Sequence, residues 1–422
     1  MCRRADDGGN RRLRVRGVRP SAGMLRQRIH SAPGPFVFPS CFLRGRRAGG
    51  RMPRAASSFF CGQALANDDY QNFKSELNKK YGFDYSIDAS LLGQRTAPNG
   101  ESNAMQAYIY PSFDWTVLDN RYGTGIINFA YTIIRYGNHT ASDIGSNAGM
   151  VTPVNDYPDK QNEFNELYYT HQFGGKWSWL TLGLGQFPIY NFDGTEYDSN
   201  QQINFLNDAL AQNASASYTQ AGIGAYAQIS PNEDWSFAFG GQDGTNIDAT
   251  SVRFNHFNEA HYTTFGYLAY TPTIKGLGEA EYSVLIYNQP WVKEQKDTTT
   301  GWSLNWSQNI GEKWGFFARL NETSGSVEEI RQSWVLGGVY NNPLNRNSLD
   351  QIGLAYAYNK LDEKAVGEKL EHKAEQVIEA YWAWGIGDMV TITPDIQMYI
   401  HPALNRNSDY GFATSIRATV MF

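Results

Sequence analysis

From residue 83 to the C-terminus, side-chain polarity alternates with a period of two residues in segments of about 11–14 residues. In the last of these segments, Phe412, Ile416 and Val420 occupy even positions, whereas Ser415 and Arg417 occupy odd positions. Successive side chains of a strand point to opposite faces, so this period predicts β-strands with one apolar and one polar face. A soluble sandwich and a membrane-spanning barrel both satisfy that condition.

Sixteen segments carry this pattern, and their number and length favour the barrel. Strands of about 9–11 residues cross the hydrocarbon layer of a membrane when tilted, and every segment is long enough. The segments are 83–95, 105–118, 124–137, 164–174, 177–187, 218–231, 235–246, 261–273, 280–292, 299–310, 314–325, 332–343, 350–361, 376–387, 389–402 and 410–422.

The links between the segments alternate in length, which adds a second argument. Short links fall at 119–123, 175–176, 232–234, 311–313 and 388, and long ones at 138–163, 188–217, 247–260 and 362–375. Outer-membrane barrels have short periplasmic turns and long external loops. We therefore predict an all-β fold, a sixteen-stranded antiparallel transmembrane β-barrel over residues 83–422, with both ends in the periplasm. Residues 67–82 are predicted to be a short periplasmic segment, either a helix or a disordered tether.

Composition agrees with a barrel and excludes a helical membrane protein. Mean hydropathy is −0.50, and no run approaches the roughly 20 apolar residues that a spanning helix needs. Barrel strands alternate lipid-facing and lumen-facing side chains, so their average hydropathy stays low. Aromatic residues make up 14% of the chain and Gly is frequent at 41 residues, as expected of many strands joined by tight turns.

Residues 1–66 differ in composition from the rest and are predicted to lie outside the fold. They contain 14 Arg, no Lys, two acidic residues and all three cysteines. Ala64-Leu65-Ala66 resembles a signal-peptidase site, although the apolar stretch before it is weak. A leader or signal peptide, an upstream mis-assigned start, a transit peptide and a functional basic arm all stay open as interpretations. The cysteine-free remainder suits an oxidising compartment.

Tryptophans cluster towards the segment ends. They include Trp177, Trp235, Trp302, Trp314, Trp334, Trp382 and Trp384. Amphipathic rings are favoured at headgroup depth, so those near short turns are predicted to form an interfacial girdle. Pro394 lies in the middle of a predicted strand, where it must mark a bulge or a missing ladder bond.

Charged residues inside the predicted strands are expected to face the lumen. An Arg or Lys on the lipid face costs about 2–4 kcal/mol at the midplane, and opposed charges across a pore supply donors, acceptors and a transverse field. For each residue, the alternative is a wall charge that only keeps the pore wet. The predicted pore-lining set consists of such charged residues and of three tyrosines that share their faces. It is Arg95, Arg135, Glu166, Glu281, Tyr287, Arg319, Glu379, Tyr381, Asp395, Tyr399 and Arg417.

The longest link, 188–217, is rich in aromatic and acidic residues. A loop of this length either folds into the lumen as a constriction or stays outside. Zinc-protease, phosphate-loop and Cys-His signatures are lacking in the sequence. We therefore predict a protein that is not an enzyme, with no catalytic residues, no metal and no cofactor. The part of the chain after residue 66 carries a net charge of −18, which argues against nucleic acid as a partner.

Two C-terminal blocks resemble the carbohydrate-selective outer-membrane porins (OprB-like). They are Glu375–Tyr381 and the Thr-Pro-Asp-containing strand Val390–Gln397, with weaker support from Asn341–Pro343, Asp350–Tyr356 and Phe83–Asp88. Clear similarity covers about residues 330–422 and weaker similarity reaches back to about residue 71. The resemblance implies a sixteen-stranded barrel, passive diffusion of glucose-like sugars, and Glu379 and Asp395 as part of the family pattern.

Three functional hypotheses follow. The first is a porin of the bacterial outer membrane through which small sugars diffuse without cofactor or energy source. The second is a general or ion-selective porin without sugar preference. The third, from another class, is a secreted all-β carbohydrate-binding protein. For a porin, the expected partners are sugars and outer-membrane lipid, and the chain is either a monomer or a homotrimer.

Overall fold

The computed structural model describes residues 70–98, 103–254 and 259–422. The predicted leader over residues 1–66 lies outside the described residues. The described residues form a closed antiparallel barrel of sixteen long strands, as predicted. Closure is made by the first and last strands, which pair from Asp88–Met421 to Ala97–Phe412.

The strands follow the predicted segments closely, and each of the sixteen segments overlaps one barrel strand. They are β1 (Phe83–Ala97), β2 (Asn103–Asn120), β3 (Gly123–Tyr136), β4 (Gln161–Phe173), β5 (Leu180–Phe187), β6 (Gly222–Ile229), β7 (Trp235–Asp243), β8 (Tyr262–Tyr270), β10 (Gly278–Gln289), β11 (Thr299–Ile310), β12 (Trp314–Thr323), β13 (Ile330–Asn341), β14 (Gln351–Leu361), β15 (Ala374–Ile386), β16 (Val390–Ile400) and β17 (Tyr410–Met421). A two-residue strand, β9 (Thr273–Ile274), pairs with the start of β10 inside one turn.

Helical structure is short. Residues 70–81 form helix α1, and α2 (Ala141–Asn147), α3 (Asp208–Ala211) and α4 (Glu363–Val366) lie in the connections. Among the described residues, no helix has the length and apolar character needed to cross a membrane. Helix α1 lies beside the barrel wall, where the Tyr70 and Phe422 rings are 6.4 Å apart and the Trp115 indole donates to the Tyr81 carbonyl at 3.2 Å.

Each strand pairs with its neighbours along the chain, so the barrel is a simple meander. Short turns such as 121–122, 311–313 and 387–389 lie at the end where β1 begins and β17 ends. Gly311 and Gly387 adopt φ values of 61° and 62° in two of these turns, a conformation that glycine reaches without a Cβ clash. The long connections 137–160, 188–221, 362–373 and 401–409 lie at the opposite end.

The two faces of the wall differ as the alternation predicts. Leu91, Leu184 and Ile416 point outward and are more than 60% exposed, while Arg417 and Gln397 on the inner face are buried. An apolar outer face suits acyl chains, and the inner face gathers the polar side chains around the lumen.

The tryptophans divide between the two ends of the barrel. Trp177, Trp235, Trp314, Trp382 and Trp384 lie near the short turns and are exposed. Several stack on neighbouring rings, as in the pair Trp314–Tyr340 with centroids 4.4 Å apart. Trp302 and Trp334 instead lie towards the long-loop ends of β11 and β13. The barrel therefore has aromatic residues at both edges of its apolar band, of which the short-turn belt is the denser.

Pro394 lies in β16 with an unbroken register against β17. On its other side the pairing of β15 with β16 stops after Tyr381–Asp395 and resumes at Trp384–Ile392 in the same register. Proline has no N–H to donate, so the ladder loses a bond without any bulge. Of the two possibilities that the sequence left open, the missing ladder bond is the one found.

The outward face can be tested with one substitution. Leu336 lies in the middle of β13 and is 61% exposed. We expect Leu336→Arg to lower the free energy of unfolding by about 2–4 kcal/mol, because a guanidinium would face acyl chains at the bilayer midplane. The measurement is denaturant unfolding in lipid vesicles. Leu344→Arg, at a leucine that is 56% exposed in a short turn, is the matched control. An equal loss of unfolding free energy in the two variants would contradict a lipid-facing Leu336.

Candidate permeation pathway

The connection 188–221 between β5 and β6, here called the inner loop, folds into the lumen. It contains a 3₁₀ turn at Ile189–Phe192 and the short helix α3. Nearly all of its residues are buried, although it joins two strands at the external end of the barrel. Of the two alternatives that the sequence left open for this connection, the structure has the inward one. β6 consequently begins at Gly222, four residues later than the predicted segment.

Arg417 on β17 holds one side of the inner loop. Its guanidinium donates to the main-chain carbonyls of Ile203 at 3.0 Å and Asn204 at 2.9 Å, and also to that of Gln201. A guanidinium has five N–H donors in a fixed fork, so one side chain can hold several successive carbonyls. Thr419, two residues further on the same face, donates to the Gln202 carbonyl at 2.8 Å.

Glu379 on β15 holds the next part of the inner loop as a hydrogen-bond acceptor, whereas Arg417 acts as a donor. Its two carboxylate oxygens accept from the main-chain N–H groups of Leu206 at 2.5 Å and Asn207 at 2.8 Å. Two buried main-chain N–H groups thereby gain acceptors that the loop itself does not supply. Glu379 and Arg417 therefore fix the backbone of residues 201–207 from two strands.

A buried ion pair attaches the inner loop to the facing wall. Arg319 on β12 lies 3.0 Å from Asp198 of the loop, and the two side chains are 1% and 0% exposed. The same guanidinium donates to the main-chain carbonyls of Asp198 at 3.1 Å and Ala209 at 2.9 Å. A buried pair compensates its desolvation only with such additional hydrogen bonds, so the contact fixes one loop geometry.

The connection 137–160 between β3 and β4, here called the outer loop, also enters the lumen. Glu375 on β15 accepts from the N–H groups of Val151 at 2.9 Å and Thr152 at 2.7 Å. Tyr399 donates to the Thr152 carbonyl at 3.1 Å, and the Gln397 amide to the Val154 carbonyl at 2.9 Å. Two loops thus narrow the bore from the external side.

The two loops contact each other as well as the wall. The Pro153 carbonyl of the outer loop accepts from the Asn207 side chain at 3.1 Å and from the Asp208 N–H at 3.2 Å. Below this contact, the Phe205 ring packs against Tyr381 and Phe317, with centroids 4.9 and 5.5 Å apart. The pathway is therefore shaped by main chain that is held from several sides.

The remaining predicted residues on the inner wall differ in their surroundings. The Tyr287 hydroxyl accepts from the Ser217 N–H at 3.0 Å, and Glu166 accepts from the Asn191 side chain at 2.8 Å. Asp395 is buried beside Arg417 and Glu379. Glu281 on β10 is half-buried, facing the side of the inner loop that carries Asp198.

Two of the predicted pore-lining residues lie on the wrong face for that role. Arg95 and Arg135 are exposed on the outer wall, on the faces of Leu91 and Ile133 respectively. Both are near the external ends of their strands, where a long side chain reaches past the hydrocarbon layer and avoids the cost expected at the midplane. The Arg135 guanidinium donates to Asn162 Oδ1 at 2.8 Å. The prediction that these two arginines line the lumen is wrong.

Sequence reasoning did not single out several residues that hold the loops. Glu375 was inside a family-like block but was not assigned a role, and Gln397 was assigned none. Their alternation with the outward-facing Ile378 and Met398 is the signal that places both on the inner face. Asp198 and Asn207 lie in the longest link, where no periodicity indicates which side chains meet the wall.

Comparisons with known proteins agree on a porin. Residues 255–422 match the family model described as carbohydrate-selective porin, OprB family. Porin AaxA of Chlamydia pneumoniae is 39% identical over 344 residues, which cover 79% of this chain and 78% of that protein. Porin AaxA of Chlamydia felis (strain Fe/C-56) is 37% identical over 351 residues, covering 81% and 78%.

Solved structures show the same fold. The high-pH structure of Pseudomonas putida OprB superposes with a TM-score of 0.70 at 12% identity, covering 84% of this chain and 97% of that one. A Salmonella typhi OmpF structure, a complex with daunomycin, gives a TM-score of 0.55 at 13% identity, covering 81% and 97%. At these identities, the likeness concerns the barrel.

The anchoring role of Glu379 gives a functional prediction. We expect Glu379→Ala to raise single-channel conductance and current noise, because two buried N–H groups lose their acceptor at a cost of about 1–3 kcal/mol each and free the loop. The measurement is planar-bilayer recording. Ser333→Ala is the control, since that uncharged inner-wall hydroxyl donates to Asn359 of the neighbouring strand and makes no hydrogen bond to the inner loop among the described residues. Unchanged conductance in Glu379→Ala would count against loop anchoring.

The buried pair Arg319–Asp198 gives a thermodynamic prediction. Removing one partner, as in Arg319→Met, should destabilise the protein by about 3–5 kcal/mol, since the other charge is left buried and unpaired. The double variant Arg319→Met/Asp198→Leu should lose less free energy of unfolding than Arg319→Met alone, because no unpaired charge is left buried. A double-mutant cycle from unfolding in detergent measures the coupling. Additive losses would show that the two side chains do not interact.

Proposed function

Because the chain belongs to the OprB family of carbohydrate-selective porins, we propose that it lets small neutral carbohydrates such as glucose diffuse passively across the membrane. The chain is a porin of the bacterial outer membrane. That location excludes the secreted carbohydrate-binding protein considered above. The preference for sugar is the part that we propose.

The observation that carries this proposal is that most lumen charges are already engaged. Arg417 and Arg319 donate to loop carbonyls, and Glu379 and Glu375 accept from loop N–H groups. Arg319 is in addition paired with Asp198, and Arg417 lies beside Asp395, so opposite charges lie close together on this wall and their fields partly cancel. Ions gain less from such a lumen than from opposed free charges.

Uncharged polar side chains make up much of the remaining inner wall. Amides and hydroxyls on this face that are only half-buried, towards the short-turn end, include Gln228, Ser236, Asn309, Asn341 and Gln351. Each amide offers both donors and an acceptor, and each hydroxyl offers both roles. A solute with many hydroxyl groups can exchange its water for such partners without carrying a charge into the barrel.

The second candidate function, a porin with ion preference, has one observation in its favour. Glu281 is only half-buried and has no hydrogen bond to the inner loop in the described part of the chain. A carboxylate in this position would attract cations to the bore. Selectivity measurements must therefore compare sugars with salts as well as with other neutral solutes.

Liposome swelling with the purified protein separates these functions. We expect faster swelling with glucose than with a neutral solute of equal size that has fewer hydroxyl groups, and only a weak preference between the ions of a salt. The physical reason is hydrogen bonding along an uncharged wall. Protein-free liposomes are the control. Equal rates for the two neutral solutes would refute sugar preference, and strong cation selectivity in salt gradients would favour the second function.

A further inference from the structure

A cavity of about 440 Å³ lies at the external mouth of the barrel, separate from the contacts that hold the inner loop. It is bounded by the outer loop, by the connection 401–409 and by the connection 362–373, with Glu329 entering from the link between β12 and β13. This volume is within the range of pockets that bind small molecules. No residue of this cavity belongs to the predicted pore-lining set.

The floor of the cavity is main chain of the outer loop. Met150–Pro153 form this floor and are buried. Val151 and Thr152 are held there by Glu375, and the Pro153 carbonyl accepts from Asn207 and Asp208 of the inner loop. The cavity is therefore lined by the same outer-loop residues that contact the inner loop and the wall.

The polar side chains that line the cavity include two carboxylates, Glu329 and Glu368, together with hydroxyls and Asn amides. Glu329 is half-buried, and burial, together with the charges of Glu328 and Glu375, raises its pKa to about 7. Glu368 lines the cavity from the connection that carries α4 and is exposed. Ser146 adds a hydroxyl. A carboxylate accepts through two oxygens and has room for several donors.

The one cationic side chain of the lining is already engaged. Arg406 donates to Glu371 at 2.9 Å, so its charge is neutralised at the edge of the cavity. An anion would therefore meet two carboxylates and no free cation among the described lining residues. Val366 and Leu404 give one wall an apolar surface, against which C–H groups can pack.

We propose that this cavity is an external capture site for a neutral, hydroxyl-rich ligand of mono- or disaccharide size, whose hydroxyl groups donate to Glu329 and Glu368. The proposal rests on sugar permeation as the function. A ligand held here stands over the constriction, so weak binding raises its concentration where entry begins. The site adds selectivity before the narrow part of the pathway is reached.

The test is equilibrium binding of glucose and maltose to the full-length protein in detergent, followed by saturation-transfer NMR or calorimetry. We expect Glu329→Ala to weaken binding about tenfold, as expected for the loss of one hydrogen bond to a charged acceptor. Glu368→Ala should weaken it less, because that carboxylate is exposed. Glu363→Ala is the matched control, since Glu363 lies in the same connection but does not line the cavity.

Two results would overturn the proposal. One is unchanged sugar binding in Glu329→Ala while the unheated protein keeps the gel mobility of the folded barrel. The other is tighter binding of an alkylammonium ion of similar size than of glucose, which would make the cavity a cation site. Liposome swelling distinguishes a failure of the capture site from a failure of the permeation function. If the wild-type protein prefers glucose in swelling but Glu329→Ala binds it normally, the permeation function stands and the capture site fails.

Discussion

A chain segment inside a bilayer has no water to satisfy its main-chain N–H and C=O groups, and the rest of this structure depends on that constraint. Sixteen strands meet it by pairing with their neighbours and closing through β1 and β17. Closure leaves one face for lipid and one for a central space. The interruption at Pro394 is a bond that proline cannot make, and the register on both sides of it is kept.

The same need for hydrogen-bond partners of the main-chain N–H and C=O groups explains the interior of the barrel. The inner and outer loops carry main chain into the lumen without strand partners, so side chains of the wall must supply the missing donors and acceptors. Glu375 and Glu379 accept from N–H groups, while Arg319 and Arg417 donate to carbonyls. Charges that a sequence reading would assign to the solute pathway thus have a structural use. What the pathway then offers to a solute is mainly neutral polar surface.

Strand positions and faces could be predicted because they depend on a local period of two, which each segment displays by itself. The same argument places Arg319, Glu379 and Arg417 inward. It failed at Arg95 and Arg135 because the cost of a lipid-facing charge falls towards the membrane surface, which a rule based on the midplane ignores. The loop path could not be predicted, since it depends on contacts between residues far apart in the chain, such as Asp198 with Arg319.

The sequence distances in these contacts bear on how the protein assembles. Several groups that fix the inner loop come from strands much further along the chain: Arg319 is 121 residues after Asp198, and Arg417 is 216 residues after Gln201. Contacts of such separation form late, because the intervening chain must first be ordered. During insertion, the bore should therefore pass through a wide, unrestricted stage, and it narrows only once the C-terminal hairpin has joined the first strand.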